Sequence, residues 1–150
     1  PFLMKNIKTF FMDIAKNFSK QSTCISKQVG GILVKDGRII YSGYNGVPCG
    51  KAHCNEIFSK NFDREEHHQW SNINELHCEQ NIISGCAKNG IITNDTDLYV
   101  TLSPCMYCAK LIVAAGIKKV IYLEKYDKSD SISFLIENNI QVIKWVINEN

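Results

Sequence analysis

The sequence predicts an α/β protein, a three-layer α/β/α sandwich built on a mixed five-stranded sheet. Three observations carry that prediction. Two β-rich runs, VGGILVK (29–35) and RIIYSGY (38–44), are joined by Asp36-Gly37, a strong hairpin signal. After the hairpin, β-rich runs alternate with helical ones, which makes the sheet mixed and puts helices on both of its faces. Finally, 150 residues at 45% hydrophobic and 21% charged suit one domain, 1–150, with a full core rather than a disordered or multidomain chain.

Ile7, Phe10, Phe11, Ile14 and Phe18 recur at helical spacing, giving a first helix from about Asn6 to Ser19 whose apolar stripe faces the sheet. The hairpin strands follow. From Asn45 to Leu76 polar, aromatic and ligand-type residues mix without convincing periodicity, too long a stretch for a structureless loop in a compact domain, so something must tie it down. A helix runs from Cys78 to about Lys88 and is ended by Asn89-Gly90; DLYVTL (97–102) is a strand; the next helix is begun by Pro104 and ends near Gly116. Strand KVIYL (119–123), a helix near Ser131–Asn138 and strand QVIKWV (141–146) complete the order, with no internal repeat and no low-complexity tract.

Composition narrows the function. A net charge of +2, from 17 basic and 15 acidic residues in no like-charged block, shows no electrostatic footprint for a nucleic-acid polymer, so a small ligand is expected. Apolar runs such as LIVAAGI (111–117) are far too short to cross a bilayer and no signal-peptide pattern opens the chain, so no membrane partner and a cytoplasmic location are expected. MKNIK reads as a natural start, making Pro1 to Leu3 a remnant of cloning. Seven cysteines, an odd number without a signal segment, favour metal ligation in a reducing compartment over disulfides. Cys24, Cys49 and Cys54 precede the stretch HCEQN (77–81), Cys78 and Cys86 flank it, and Cys105 and Cys108 form the only C-x-x-C; His53, His67, His68 and His77 all fall in the same middle segment.

Two motifs sit at helix starts. His77 and Glu79 open one helix, Cys105 and Cys108 the next. The free amides and dipole of a helix N-terminus favour thiolates, and cysteines one turn apart can point at one ion. With His77 they make three ligands and leave a fourth position open, the arrangement for hydrolysis rather than a closed structural zinc. Glu79, two residues from His77, is placed as a general acid/base and not as a ligand. H-x-E paired with P-C-x-x-C is the signature of the zinc nucleobase deaminases; here it reads His77-Cys78-Glu79 and Pro104-Cys105-Met106-Tyr107-Cys108.

VGGILVKDGRIIYSGYNGVP, NELHCEQNII, DLYVTLSPCMYCAKLIVAAGIKKVIY and EKYDK resemble the deoxycytidylate (dCMP) deaminase family from about Cys24 to the C-terminus. HCEQN departs from the more usual HAE start through the small Cys78. The resemblance implies the cytidine-deaminase fold, and hydrolysis of dCMP to dUMP in which a zinc held by His77, Cys105 and Cys108 activates a water while Glu79 carries protons to ring N3 and then to the departing amine. Backbone around Ser103 and Cys105 is placed to hold the amino group and the water. Asn45 is implied to hydrogen-bond the deoxyribose, although Asn45-Gly46 is also a plain turn pair, and Tyr126 to help hold the 5′-phosphate, although it reads equally as a surface tyrosine.

A second, structural zinc is expected at Cys24, Cys54, His67 and Glu75, which bracket the long segment 45–76 and match the family's insert, with His68, His53 or Cys49 as substitutes. The family also implies a homo-hexamer, and regulation by Mg²⁺-bound triphosphates, dCTP activating and dTTP inhibiting. The expected effector residues are Gly43, Tyr44 and Gly46, whose glycines free backbone amides for phosphate, with Lys88 at the far end of the Glu79 helix. Two competing readings remain. One is another deaminase of the superfamily, acting on cytidine or editing tRNA, which the near-neutral charge disfavours for tRNA. The other is an inactive zinc-stabilised binding module, which an intact Glu79 disfavours.

Overall fold

The computed structural model of the chain describes residues 7–126 and 130–146; Pro1 to Leu3, and Asp127 and Lys128 of the EKYDK motif, lie outside them. The elements run α1 (Ile7–Ser19), β1 (Gly30–Lys35), β2 (Arg38–Tyr44), α2 (Cys54–Ile57), α3 (Arg64–Asn74), α4 (Cys78–Asn89), β3 (Asp97–Leu102), α5 (Met106–Ala114), β4 (Lys119–Glu124), α6 (Ser131–Glu137) and β5 (Gln141–Lys144). The five strands form one mixed sheet, as expected, and lie in the order β2-β1-β3-β4-β5. β2, β1 and β3 pair antiparallel; β3, β4 and β5 pair parallel. The hairpin turn has φ of 50° at Asp36 and 72° at Gly37, left-handed values that an Asp-Gly pair adopts at low cost and that match the twist of the flanking strands.

Each face of the sheet has its own core. On one side α1 packs Phe11, Met12 and Ala15 against Ile32, Val34, Tyr99 and Ile121. Phe10, assigned to the apolar stripe on spacing, is instead 58% exposed, its ring 5.5 Å from that of Phe11. Methionine and alanine fill the sheet-facing positions, and a stripe counted from bulky residues alone rotates away from them. On the other side Leu33, Leu98, Val100 and Val120 meet Cys78, Ile82 and Cys86 of α4, Ala109 and Ile112 of α5 and Leu135 of α6. The strand alternation thus divides Leu98 and Val100 from Tyr99 across the pleat.

The segment 45–76 is where structure and sequence reading differ most. It holds α2 and α3, not an irregular loop. α3 is capped by Asp63, whose carboxylate accepts the N–H of Glu66 at 2.8 Å, yet its buried residue is His67 rather than an aliphatic side chain. A helix whose inner face is made of histidine and aromatics shows no apolar period. The segment leaves and rejoins the body at one point: Gly46 and Leu76 exchange backbone hydrogen bonds of 3.1 and 2.8 Å. Among the described residues no helix is long and apolar enough to cross a membrane.

Candidate active site

His77 and Cys105 are each the residue before a helix, the N-caps of α4 and α5. α5 starts where β3 ends and α4 starts where the 45–76 segment closes, so the fold delivers both helix N-termini to one place. There His77 Nδ1 lies 3.4 Å from the sulfurs of both Cys105 and Cys108. Tetrahedral geometry, with Zn–S of about 2.3 Å and Zn–N of about 2.0 Å, requires roughly 3.6 Å between such atoms, so the three donors fit one ion. The mouth of the set is open, with His77 exposed and Cys105 half-buried, while Cys108 is buried at its floor. Gln80, unremarked in the sequence reading, accepts the His77 N–H at 2.7 Å and so fixes the ligand's backbone. Its spacing, a glutamine three residues after the cap, is the capping-box signal that could have found it.

The charges in this set follow from its packing. A hydrogen bond from the Cys108 thiol, aided by His77, holds Cys105 down at about 4, and the same partnership with burial pushes the Cys108 thiol far up. His77 is raised first by its hydrogen bond with Cys105. The set thus retains protons that a divalent cation would displace. Glu79, in the first turn of α4, is 5% exposed; burial raises its pKa, while its own backbone N–H and the positive character of His77 work the other way. This is a carboxylate with increased proton affinity beside three metal donors that do not include it.

A second set lies under the 45–76 segment. Donor atoms of Cys24, Cys54, His67 and Glu75 all fall within 4.8 Å of one another, as the first set's do. His67 Nε2 is 3.3 Å from the Cys54 sulfur and 3.7 Å from that of Cys24. Phe58, Phe62 and Trp70 surround the imidazole, with ring centroids 5.1, 5.1 and 6.3 Å away. Glu75 Oε2 accepts from Ser71 Oγ at 2.6 Å, but Oε1 is buried without a hydrogen-bond partner. A buried carboxylate oxygen left unpaired beside two thiols and an imidazole fits a cation. Unlike the first set, this one has four donors and is closed, with its cysteines and histidine buried; burial drives Cys24 up to about 11. The substitutes stand apart: His53 and His68 are exposed and bonded to Thr23 and Asn72, and Cys49 is exposed.

The residues expected around a substrate are close by. Asn45 is buried, and its amide clips the chain before β1: Nδ2 donates to the Lys27 carbonyl and Oδ1 accepts from the Val29 N–H, each at 2.8 Å. One N–H and one lone pair remain for a ligand. Ser103 is buried; its Oγ accepts the Tyr126 N–H at 2.6 Å and its own N–H donates to the Glu124 carbonyl at 2.8 Å.

Of the expected effector residues, Gly43, Tyr44 and Gly46 follow closely on one another at the end of β2, and Lys88 stands at the far end of α4. A Cβ on Gly43 would meet Ile82 at 2.9 Å, so this glycine is where α4 packs onto β2. The Gly46 N–H is taken by Leu76, so it is not free for phosphate as the sequence reading supposed. Tyr44 is 39% exposed and its carbonyl accepts from Asn81. Lys88 lies in the last turn of α4, roughly 9 Å along the axis from Ile82 at 1.5 Å per residue.

Comparison with known proteins agrees with this geometry. A sequence profile of the cytidine and deoxycytidylate deaminase zinc-binding region matches residues 5–124. The deoxycytidylate deaminase of Enterobacteria phage T2 is 36% identical over 151 residues, covering 79% of this chain and 80% of the relative. That of phage T4 is 36% identical over 79% of this chain and 78% of the relative. Among solved structures, the dCMP deaminase of cyanophage S-TIM5 in complex with dCMP and dUMP superposes with a TM-score of 0.80 at 35% identity, covering 95% of this chain and 99% of that one.

Proposed function

The chain belongs to the cytidine and deoxycytidylate deaminase family, and on that premise we propose that it hydrolyses dCMP to dUMP and ammonia with a zinc held by His77, Cys105 and Cys108. The observation that carries the reading is Glu79: a buried carboxylate, not itself a donor of the set, at the floor of an open three-donor cluster. Zinc bound there supplies the Lewis acidity that makes a water nucleophilic near neutral pH. Glu79 would take one proton of the attacking water on a carboxylate oxygen and give it to ring N3 as the water oxygen bonds to C4; it would then carry the remaining proton from the new C4 hydroxyl to the amine, so that the C4–N bond breaks, ammonia leaves and the C4 carbonyl of dUMP remains. Burial suits it to this, because a raised proton affinity makes it a better base than an exposed carboxylate.

The closed set, Cys24, Cys54, His67 and Glu75, holds the second, structural zinc in this proposal, supported by the unpartnered Glu75 oxygen. Regulation by Mg²⁺-bound dCTP and dTTP in a homo-hexamer completes it, supported by the sequence resemblance. An apolar outer face on α5, where Tyr107 is 75% and Leu111 38% exposed, offers surface for a partner copy. Ammonia release from dCMP by the zinc-loaded protein, measured against cytidine, CMP and dCTP, tests the activity. Turnover of dCMP below that of cytidine would overturn it.

A further inference from the structure

Three glycines interlock the helix that carries Glu79 with the first two strands of the sheet. Gly31 of β1 and Gly43 of β2 are partners across the hairpin, so two positions without side chains lie side by side. Cys78 and Ile82, one turn apart on α4 and both completely buried, fill the space over them. A Cβ on Gly31 would meet Cys78 Sγ at 3.0 Å, Ile82 Cδ1 at 3.1 Å and the Tyr99 carbonyl oxygen at 3.1 Å; one on Gly43 would meet Ile82 Cγ1 at 2.9 Å. Cys78 Sγ also donates to the Gly43 carbonyl at 3.4 Å. Further along, the fit is reversed: a Cβ on Gly85 of α4 would run into the ring of Tyr41, which stands on β2 two residues before Gly43.

The two walls of this contact differ in stiffness. On the sheet side, Gly31 also faces the Tyr99 carbonyl of β3, a strand paired along both of its edges, so that wall is fixed. On the helix side stands a short thiol in a close-packed core, where small changes in volume are felt by neighbouring groups. The depth at which the first turn of α4 rests on the sheet is therefore set by sulfur against the bare backbone of Gly31. Both groups with chemical roles adjoin that sulfur, His77 as the N-cap before Cys78 and Glu79 after it. The sulfurs of Cys105 and Cys108 that complete the donor set belong to another helix, α5. Any change in the depth of α4 displaces Glu79 relative to them.

We infer that Gly31 and Cys78 are positioning residues for the proton carrier: the missing side chain on β1 and the sulfur on α4 together set where Glu79 stands relative to the metal donors. The inference deepens the deaminase reading and rests on it. A methyl group at position 31 forces its neighbour to give by a few tenths of an ångström. A misplacement of about 1 Å costs about 10²-fold in rate, so a fall of roughly 4- to 10-fold follows. Proton transfer between fixed atoms senses such a shift, whereas metal retention and nucleotide binding tolerate it.

The test compares wild type, Gly31→Ala and the double variant Gly31→Ala/Cys78→Ala, all zinc-loaded, in ammonia release from dCMP, zinc content and denaturant midpoint. Gly31→Ala is expected to lower kcat roughly 4- to 10-fold while its KM and zinc content stay within about twofold of wild type. In the double variant the methyl takes the place of the sulfur, and kcat recovers to within about twofold of wild type. A role in stability alone would move the denaturant midpoint and leave the kcat of folded Gly31→Ala unchanged, and that result overturns the inference. A double variant no faster than Gly31→Ala also overturns it. If Gly31→Ala does not fold, the double variant decides: a folded protein within about twofold of wild-type kcat upholds the inference, and one that is slower or does not fold overturns it. Wild type that releases no ammonia from dCMP overturns the deaminase reading and the inference with it, whereas an active wild type with unchanged kcat in Gly31→Ala overturns the inference alone.

Discussion

His77 Nδ1 and the sulfur of Cys105, 28 positions apart in the chain, lie 3.4 Å apart because each is the residue on which a helix begins. Side chains at N-caps are aimed by backbone that is already fixed, and the unsatisfied amides behind them favour negative sulfur. The ligand geometry is thereby set by two helix starts rather than by flexible loops.

Glu79→Gln is expected to keep the metal and bind dCMP while turnover falls roughly 10²- to 10⁴-fold, the usual contribution of a positioned proton carrier. An amide has the same shape but cannot take the proton. Zinc content and ammonia release on the same sample check this, and near-wild-type turnover would remove Glu79 from the mechanism.

Metal analysis separates the two donor sets. Wild type should carry two zincs per chain. His77→Ala and Cys105→Ala should carry one and be inactive yet folded. Cys54→Ala should also carry one but unfold at lower temperature, since a ligand present at about 1,000 times its Kd stabilises by about 4 kcal/mol. One zinc per chain in wild type would refute the second site.

Asn45→Ala leaves the Lys27 carbonyl and the Val29 N–H without their partner. A loss of about 1–3 kcal/mol in denaturant unfolding is expected, together with a raised dCMP KM, because Asn45 is also the residue expected to hydrogen-bond the deoxyribose. Unchanged stability would show that water replaces the amide at no cost.

Burial raises the thiols of Cys78 and Cys86 above their ordinary value of 9.0. For acids raised in this way the folded state prefers the neutral form. The stability they contribute is fully present below pH 9.0 and is lost as pH rises toward the higher folded values. Denaturant midpoints measured between about pH 7 and 10 should therefore fall in the alkaline half, and fall less in Cys86→Ala. A flat profile would contradict the assignment.

Mg-dCTP should shift the dCMP saturation curve to lower concentration and Mg-dTTP to higher, and dCMP should in turn change the affinity for each effector by the same factor. Curves that do not move at saturating effector would make this an unregulated deaminase.

Much of this architecture was legible because its signals are local. The Asp36-Gly37 turn, each of the five strands, the His77-Cys78-Glu79 pair and the Cys105–Cys108 spacing are each written within a few residues of chain, where turn chemistry and periodicity apply. Cys24, Cys54, His67 and Glu75 were identified by ligand type and family likeness, whereas the helices carrying two of them were not, because His67 and Trp70 hide the period that aliphatic residues would show. Asn45 could not be read as a clip on Lys27 and Val29: a hydrogen bond across 16 or 18 positions has no sequence signature. That α4 presses on β2 at Gly43 was equally invisible, because a close approach between elements leaves no local pattern.

The paired bonds between Gly46 and Leu76 make residues 47–75 an excursion whose two ends are stapled at its base. The entropy of closing it is then settled locally, and each doubling of its length adds only about 0.6 kcal/mol. Such a segment behaves as an exchangeable cassette. Lineages could lengthen, shorten or replace it while the sheet and the two helix starts stay in register, and a protein engineer has there a natural port for grafting a foreign domain.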